Sequence, residues 1–175
     1  MKNSLFLLLL FLFFISCKEQ EARRPVRVKT HITLASTAKE LKKINALEDQ
    51  KILNYIQLDS SRTYNSSQKG FWFTYLKKSD NNRFPKFGNT ISYVLEIKDL
   101  NDQVIYSSEE LGVQNYKVDK QELISGLQEG IKLMNEGDVV QFLIPSYNAY
   151  GIIGDQNKIG NNQSIIAIVT LQTIK

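Results

Sequence analysis

The stretch that most constrains this chain is Tyr116 to Gly151, YKVDKQELISGLQEGIKLMNEGDVVQFLIPSYNAYG. Asp119 with Glu122 three residues on has the spacing of a capping box, which satisfies two orphan amides and predicts a helix beginning there. Leu123, Ile124 and Leu127 then fall on one face, and Gly130 is placed to close the helix in a left-handed conformation. Gly126 inside so short a helix costs about 1 kcal/mol against Ala, which implies close packing against it. Val139 to Ile144, VVQFLI, is too apolar for a solvent-facing edge and is stopped by Pro145. A short helix, a buried strand and a Tyr-Gly loop in quick succession leave few architectures open.

The 175 residues have room for one domain of ordinary size. The formal charge is only +4, with Lys and Arg dispersed among acids. No basic stripe is present to track a phosphate backbone, so no nucleic-acid partner is expected. The single cysteine, Cys17, excludes an internal disulfide and a cysteine-based zinc cluster. Lys2 precedes an unbroken apolar run, Leu5 to Ile15, too short to span a bilayer and suited to a secretory signal. Phe14-Ile15-Ser16-Cys17 resembles the bacterial lipobox. That resemblance implies cleavage before Cys17 and diacylglyceryl attachment to its sulfur; an ordinary signal peptide with a chance cysteine is the alternative. Residues 1–16 are thus expected to be a signal peptide and 17–36 a lipid-anchored linker. Two or three acyl chains give stable attachment, so the envelope membrane is an expected partner. The expected location is the bacterial cell envelope, with the mature domain facing the periplasm.

Arg23-Arg24-Pro25 reads as extended linker, and Val26, Val28, Ile32 and Leu34 alternate weakly enough to suggest a short strand. His31, the only histidine, has no base, nucleophile or ligand cluster beside it and is assigned no catalytic role. Thr37 with Glu40 is a second capping box, and Leu41, Ile44, Leu47, Ile52, Tyr55 and Ile56 carry a helical pattern to about Leu58. An exposed apolar stripe there would favour a homodimer through the 37–58 helix. Phe71 to Leu76 is strongly β-prone, and Trp72 reads as a core residue of a sheet rather than a stacking platform. Thr90 to Lys98 is the next strand, its alternation imperfect at Val94-Leu95. Asn101-Asp102 marks a hairpin returning through Val104-Ile105-Tyr106. A long loop, Ser146 to Ser164, contains Gly151, Gly154 and Gly160. Ile165 to Leu171 is apolar enough to lie centrally in the sheet. The fold class is therefore α+β, an antiparallel sheet wrapped over one short helix and preceded by an N-terminal helix. The Gly-rich 151–160 segment lacks the GK[ST] of a phosphate loop, and no cofactor or metal is expected.

The ordered series Tyr106-Ser107-Ser108, Glu122-x-Ile124-x-Gly126-Leu127-x-x-Gly130, Met134, Gly137 and Ile144-Pro145…Ala149-Tyr150-Gly151 resembles the FKBP-type peptidyl-prolyl cis-trans isomerases. The resemblance runs from about Phe84 to Lys175. It implies an antiparallel half-barrel curled round a short helix. Residues 84–175 would be the isomerase domain and 37–83 a helix and aromatic-strand extension. With EARRP at 21–25, the aromatic run at 69–76 and YKVDKQELISGL, the whole chain looks like the gliding-motility-associated isomerase lipoproteins of gliding bacteria. In the family, an apolar cradle between helix and sheet takes the proline ring. By resemblance its floor is Leu127, where a tryptophan is usual. Leu123 and Ile124 are the aliphatic pair before it, the Ile124 amide is the donor toward the substrate carbonyl, Tyr150 is the loop tyrosine and Ile159 the far wall. Ile105 replaces the usual phenylalanine and Tyr106 the usual aspartate. On ungapped spacing, Leu95 stands for a wall tyrosine and Ala167 for a phenylalanine. The cradle stays apolar but has exchanged several aromatic walls and its acid.

Such a site needs no nucleophile, metal or acid–base pair, because X–Pro isomerisation is slow only through amide resonance. The implied function is a tethered peptidyl-prolyl isomerase acting on X–Pro segments of exported proteins. Two other readings stay open: a protein-binding or scaffold module with weak or absent turnover, and a domain whose 37–58 helix is the functional interface.

Overall fold

The structure is a computed structural model that describes residues 34–175. The expected signal segment, Cys17, His31 and positions 26–32 of the weak strand pattern lie outside the described residues, while its last position, Leu34, is helical and not strand. Leu34–Lys175 forms one compact unit. Its elements are α1 (Leu34–Leu58), β1 (Asn65–Ser66), β2 (Trp72–Lys77), β3 (Thr90–Lys98), β4 (Val104–Tyr106), α2 (Ser108–Leu111), β5 (Val113–Lys117), α3 (Ser125–Ile131), β6 (Val139–Ile144), a 3-10 turn (Ser146–Asn148) and β7 (Ile165–Ile174). The expected α+β class with its N-terminal helix is what the chain forms.

All seven strands share one antiparallel sheet in the order β1-β2-β6-β7-β3-β4, with β5 beside the first half of β3. β6 and β7 are central, as their continuous apolar character requires. The sequence alternates across the sheet with period two. Phe71, Phe73, Ile91, Tyr93, Leu95, Ile97, Val140, Phe142, Ile144, Ile165, Ala167 and Val169 belong to the inner cluster, which α3 covers. Leu143 and Ile166 point the other way, with Trp72 and Ile168 packed beside them, and α1 covers that face through Ile52, Tyr55 and Ile56. The inner side of β3 alternates without a break, burying Ile91, Tyr93, Leu95 and Ile97. The irregularity read at Val94-Leu95 is therefore only an apolar residue on the other face.

Three local expectations are corrected. The helix read from Asp119 begins at Ser125, because Asp119 adopts a left-handed φ of 56° and turns the chain instead of capping it. The Asp119 carboxylate instead reaches forward to Gln128 Nε2 at 2.9 Å and Lys132 Nζ at 3.2 Å. Gly130 does not close the helix but lies inside it, since a Cβ there would come within 2.7 Å of the Phe142 ring. The Thr37 capping box lies within α1, which starts at Leu34; Leu34 and Ala35 are good helix formers and carry the ladder back. The close packing inferred at Gly126 is present: its Cβ would sit 2.5 Å from Ile144 Cγ2.

Candidate active site

The seven residues singled out from the sequence belong to or pack against the inner apolar cluster, in two layers. Leu127 on α3 and Ile159 on the 146–164 loop are buried, at 1% and 3% exposure. Leu95 and Ala167 lie in the same buried cluster. Ile105, Tyr106, Leu123, Ile124 and Tyr150 are half-buried and pack against it from the rim. The floor is thus apolar and covered, whereas the rim is open to solvent.

α3 sets the axis of the site. Because it starts only at Ser125, Leu123 and Ile124 lie on the extended lead-in, with Ile124 at φ −55° and ψ 136°. The Ile124 carbonyl accepts the Gln128 amide at 2.9 Å, while its own N–H finds no acceptor among the described residues. Gln121, Glu122, Leu123, Ile124 and Gln128 line an open groove of about 540 Å³. A free amide beside apolar side chains can donate to a peptide carbonyl laid along that groove.

The loop side is assembled by hydrogen bonds. Ser146 O accepts the amides of Ala149 and Gly151, each at 2.8 Å, and these bracket Tyr150. The Tyr106 hydroxyl donates to Asp155 Oδ2 and accepts Asn157 Nδ2 at 3.0 Å. Asp155 Oδ1 accepts the amides of Asn157 at 2.9 Å and Ile159 at 2.8 Å, which turns the chain and sends Ile159 inward. Lys158 lies 4.8 Å from the centre of the Tyr106 ring and pairs with Glu110, closing the far side. Burial alone would raise the Asp155 carboxyl, but the Tyr106 hydroxyl and the two amides hold it below the usual carboxylate range. Burial, then the neighbouring Asp155 carboxylate, push the Tyr150 phenol up, so it stays a protonated donor.

Two residues of the site went unread in the sequence. Tyr93, on the same face of β3 as Leu95, is 4% exposed, and burial followed by the nearby Tyr150 and Tyr116 pushes its phenol up to about 12. It belongs to the buried cluster against which Tyr150 packs, and the β3 alternation carried the signal. Asp155 restores an acid beside Tyr106, and the Asp-x-Asn turn spacing was its signal. Among the described residues, no group of three or more His, Cys, Asp or Glu side chains is placed to hold a metal ion. No described helix is long and apolar enough to cross a membrane.

Residues 81–172, more than half of the chain, match the family model described as FKBP-type peptidyl-prolyl cis-trans isomerase. A search of curated protein sequences finds no significant match. Among solved structures, the chain is similar to FkpA from Escherichia coli, at 19% identity and a TM-score of 0.63, over 100% of this chain and 82% of that one. It is also similar to a peptidyl-prolyl cis-trans isomerase from Pseudomonas syringae pv. tomato, at 16% identity and a TM-score of 0.63, over 77% of this chain and 95% of that one. At such identities the likeness is one of fold.

Proposed function

Because the chain belongs to the FKBP-type peptidyl-prolyl cis-trans isomerase family, we propose that it is a tethered isomerase of X–Pro bonds in exported or envelope proteins. The observation that supports this reading is that Leu123, Ile124, Leu127, Tyr150, Ile159, Ile105 and Tyr106 belong to or pack against one apolar cluster, beside an Ile124 amide with no acceptor among the described residues. The proline ring would lie against the half-buried rim, above Leu127. Desolvating the carbonyl disfavours the charge-separated amide resonance form that opposes rotation. A donor at the Ile124 N–H and the Tyr150 hydroxyl would hold the neighbouring carbonyls in the twisted geometry. Tyr93 and Asp155 complete the wall.

Residues 1–16 would be removed, Cys17 would carry lipid, and 17–36 would tether the remainder to the envelope membrane with the domain facing the periplasm. The 84–175 isomerase domain would then be held with the 37–83 extension, whose β2 adds to its sheet. The likeness of the precursor to gliding-motility isomerase lipoproteins suggests clients among motility components. Leu47 and Leu58, 63% and 87% exposed on α1, leave a surface for a homodimer.

The test is a protease-free isomerisation assay on the full chain in detergent, with several X–Pro peptides. Rates above the uncatalysed background are expected; background rates on every peptide would leave the second reading, a binding module. The covered floor, with Leu127 at 1% and Ala167 at 0% exposure, favours that second reading. Cys17→Ala is expected to abolish acyl labelling and release the protein from the membrane fraction, and retained membrane partition would refute the anchor.

A further inference from the structure

Glu48 is a charged side chain only 3% exposed, on a helix that precedes the family match. Its Oε2 accepts the Ser146 backbone N–H at 2.6 Å, and its Oε1 accepts the Ser146 hydroxyl at 2.7 Å. The Ser164 hydroxyl donates to Oε2 at 2.9 Å. A carboxylate withdrawn from water persists where donors replace its hydration, and three do so here. Ser146 opens the loop after β6, and Ser164 closes it before β7. One carboxylate, 98 residues upstream of Ser146, therefore ties both ends of the loop that carries Tyr150, Asp155 and Ile159. The effect passes inward through the Ser146 carbonyl, which holds the amides on either side of Tyr150. Neighbouring contacts act in the same sense. The Tyr147 hydroxyl donates to Asp49 Oδ1 at 2.7 Å, and Asn148 Nδ2 donates to the carbonyls of Lys69 at 2.9 Å and Gly70 at 2.8 Å.

We propose that Glu48 is a positioning residue for the isomerase pocket, fixing the 146–164 loop from both ends so that α1 is part of the catalytic apparatus. This rests on the isomerase reading above. Glu48 acts through Ser146 and Ser164, not on the substrate. A loop released at both ends samples more conformations, and misplacement of a positioned group by about 1 Å can cost on the order of a hundredfold in rate.

The experiment uses the full chain in detergent, as wild type, Glu48→Ala and Glu48→Gln, well below the melting temperature of each. Isomerisation kinetics are read beside backbone amide hydrogen exchange. Glu48→Ala leaves the Ser146 N–H buried without a partner, whereas Glu48→Gln keeps an acceptor for it and can donate to a serine hydroxyl. The expected result is a fall in kcat/KM of about tenfold or more for Glu48→Ala, with recovery to within about threefold in Glu48→Gln. Protection of the Ala149 and Gly151 amides should drop in Glu48→Ala, while the β6 and β7 amides keep theirs. Unchanged kcat/KM, or loop amides as protected as in wild type, would overturn the proposal. If Glu48→Ala does not fold, Ser164→Ala, which removes one of the two tied ends, decides, and wild-type rate and loop protection in it would overturn the proposal equally. A wild type without turnover sinks the isomerase reading by itself; the loop amides then decide whether Glu48 pins the loop.

Discussion

The two faces of the sheet are covered by different means. On the inner face, α3 approaches closely enough that Gly126 and Gly130 have no room for a Cβ, and the contact is almost wholly apolar and aromatic. The Phe142 ring lies 5.9 Å from Phe71 and 6.3 Å from Phe73. On the outer face, α1 presents Glu48, Ile52, Tyr55 and Ile56, one face of a 3.6-residue period, to a far smaller apolar patch. Two buried polar groups there are paired across the chain. Gln141, 3% exposed, donates to the Tyr64 hydroxyl at 3.0 Å, and Glu48 is satisfied by two serines. Inner packing sets stability through area and fit, whereas outer packing depends on keeping each polar group partnered.

The largest expected effects test that contrast directly. Phe142→Ala removes a fully buried ring that several aromatics and Gly130 enclose, and should cost about 3–5 kcal/mol. Ile52→Ala removes the one fully buried apolar side chain that α1 contributes to the outer cluster, and should cost about 2–4 kcal/mol. Denaturant unfolding of both variants is the measurement. An Ile52→Ala loss equal to or above that of Phe142→Ala would show that the outer face is no minor layer.

The same contrast explains what could be read from the sequence. β3 and β6 were placed to the residue, and β7 from its first residue, because buried strands announce themselves as apolar runs or alternations. β5, VQNYK, went unread: only Tyr116 is buried, and a mostly polar pentapeptide becomes a strand only because β3 offers it an edge. The short helix at Ser108–Leu111 was likewise invisible, having no buried residue. Family spacing singled out apolar residues that do belong to or pack against one cluster. Tyr93 was passed over, although the β3 alternation buries it on the same face as Leu95. Glu48 gave no signal in the sequence, because nothing local could reveal partners 98 and 116 residues away.

A smaller effect sharpens the comparison at the pocket floor. Leu127 is 1% exposed, so Leu127→Trp should overpack the inner cluster and cost about 1–3 kcal/mol. A lowered melting temperature with no gain in isomerisation is the expected result for a floor that is already filled. An indole that left stability unchanged and raised kcat/KM would show that the cradle opens in solution and that Leu127 limits turnover.

The smallest expected effect is acid dependence, here taken at one lowered carboxylate near each face. Asp59, just beyond α1, is lowered from 3.8 to about 2, first by the Ser61 hydroxyl and then by the Tyr64 hydroxyl and the Arg62 guanidinium. Asp155 at the pocket rim is also held below 3.8, its partners outweighing a burial that acts the other way. In both cases the unfolded chain takes up the proton first as pH falls. Each therefore contributes its full stabilisation above the ordinary carboxylate range and loses it on acidification through the folded value, for Asp59 between about pH 4 and pH 2. Both groups lie near solvent, so screening keeps the contribution small. Melting temperatures of wild type, Asp59→Asn and Asp155→Asn, scanned from about pH 5 to pH 2, should fall less steeply in each variant than in wild type. The double variant should show the sum of the two changes, because the groups share no partner and sit in separate hydrogen-bond clusters. An Asp59→Asn curve that tracks wild type throughout would remove the outer cluster from the account. A double variant departing clearly from the sum would mean that the two faces are coupled, with the Glu48 contacts to Ser146 and Ser164 the connection to break next.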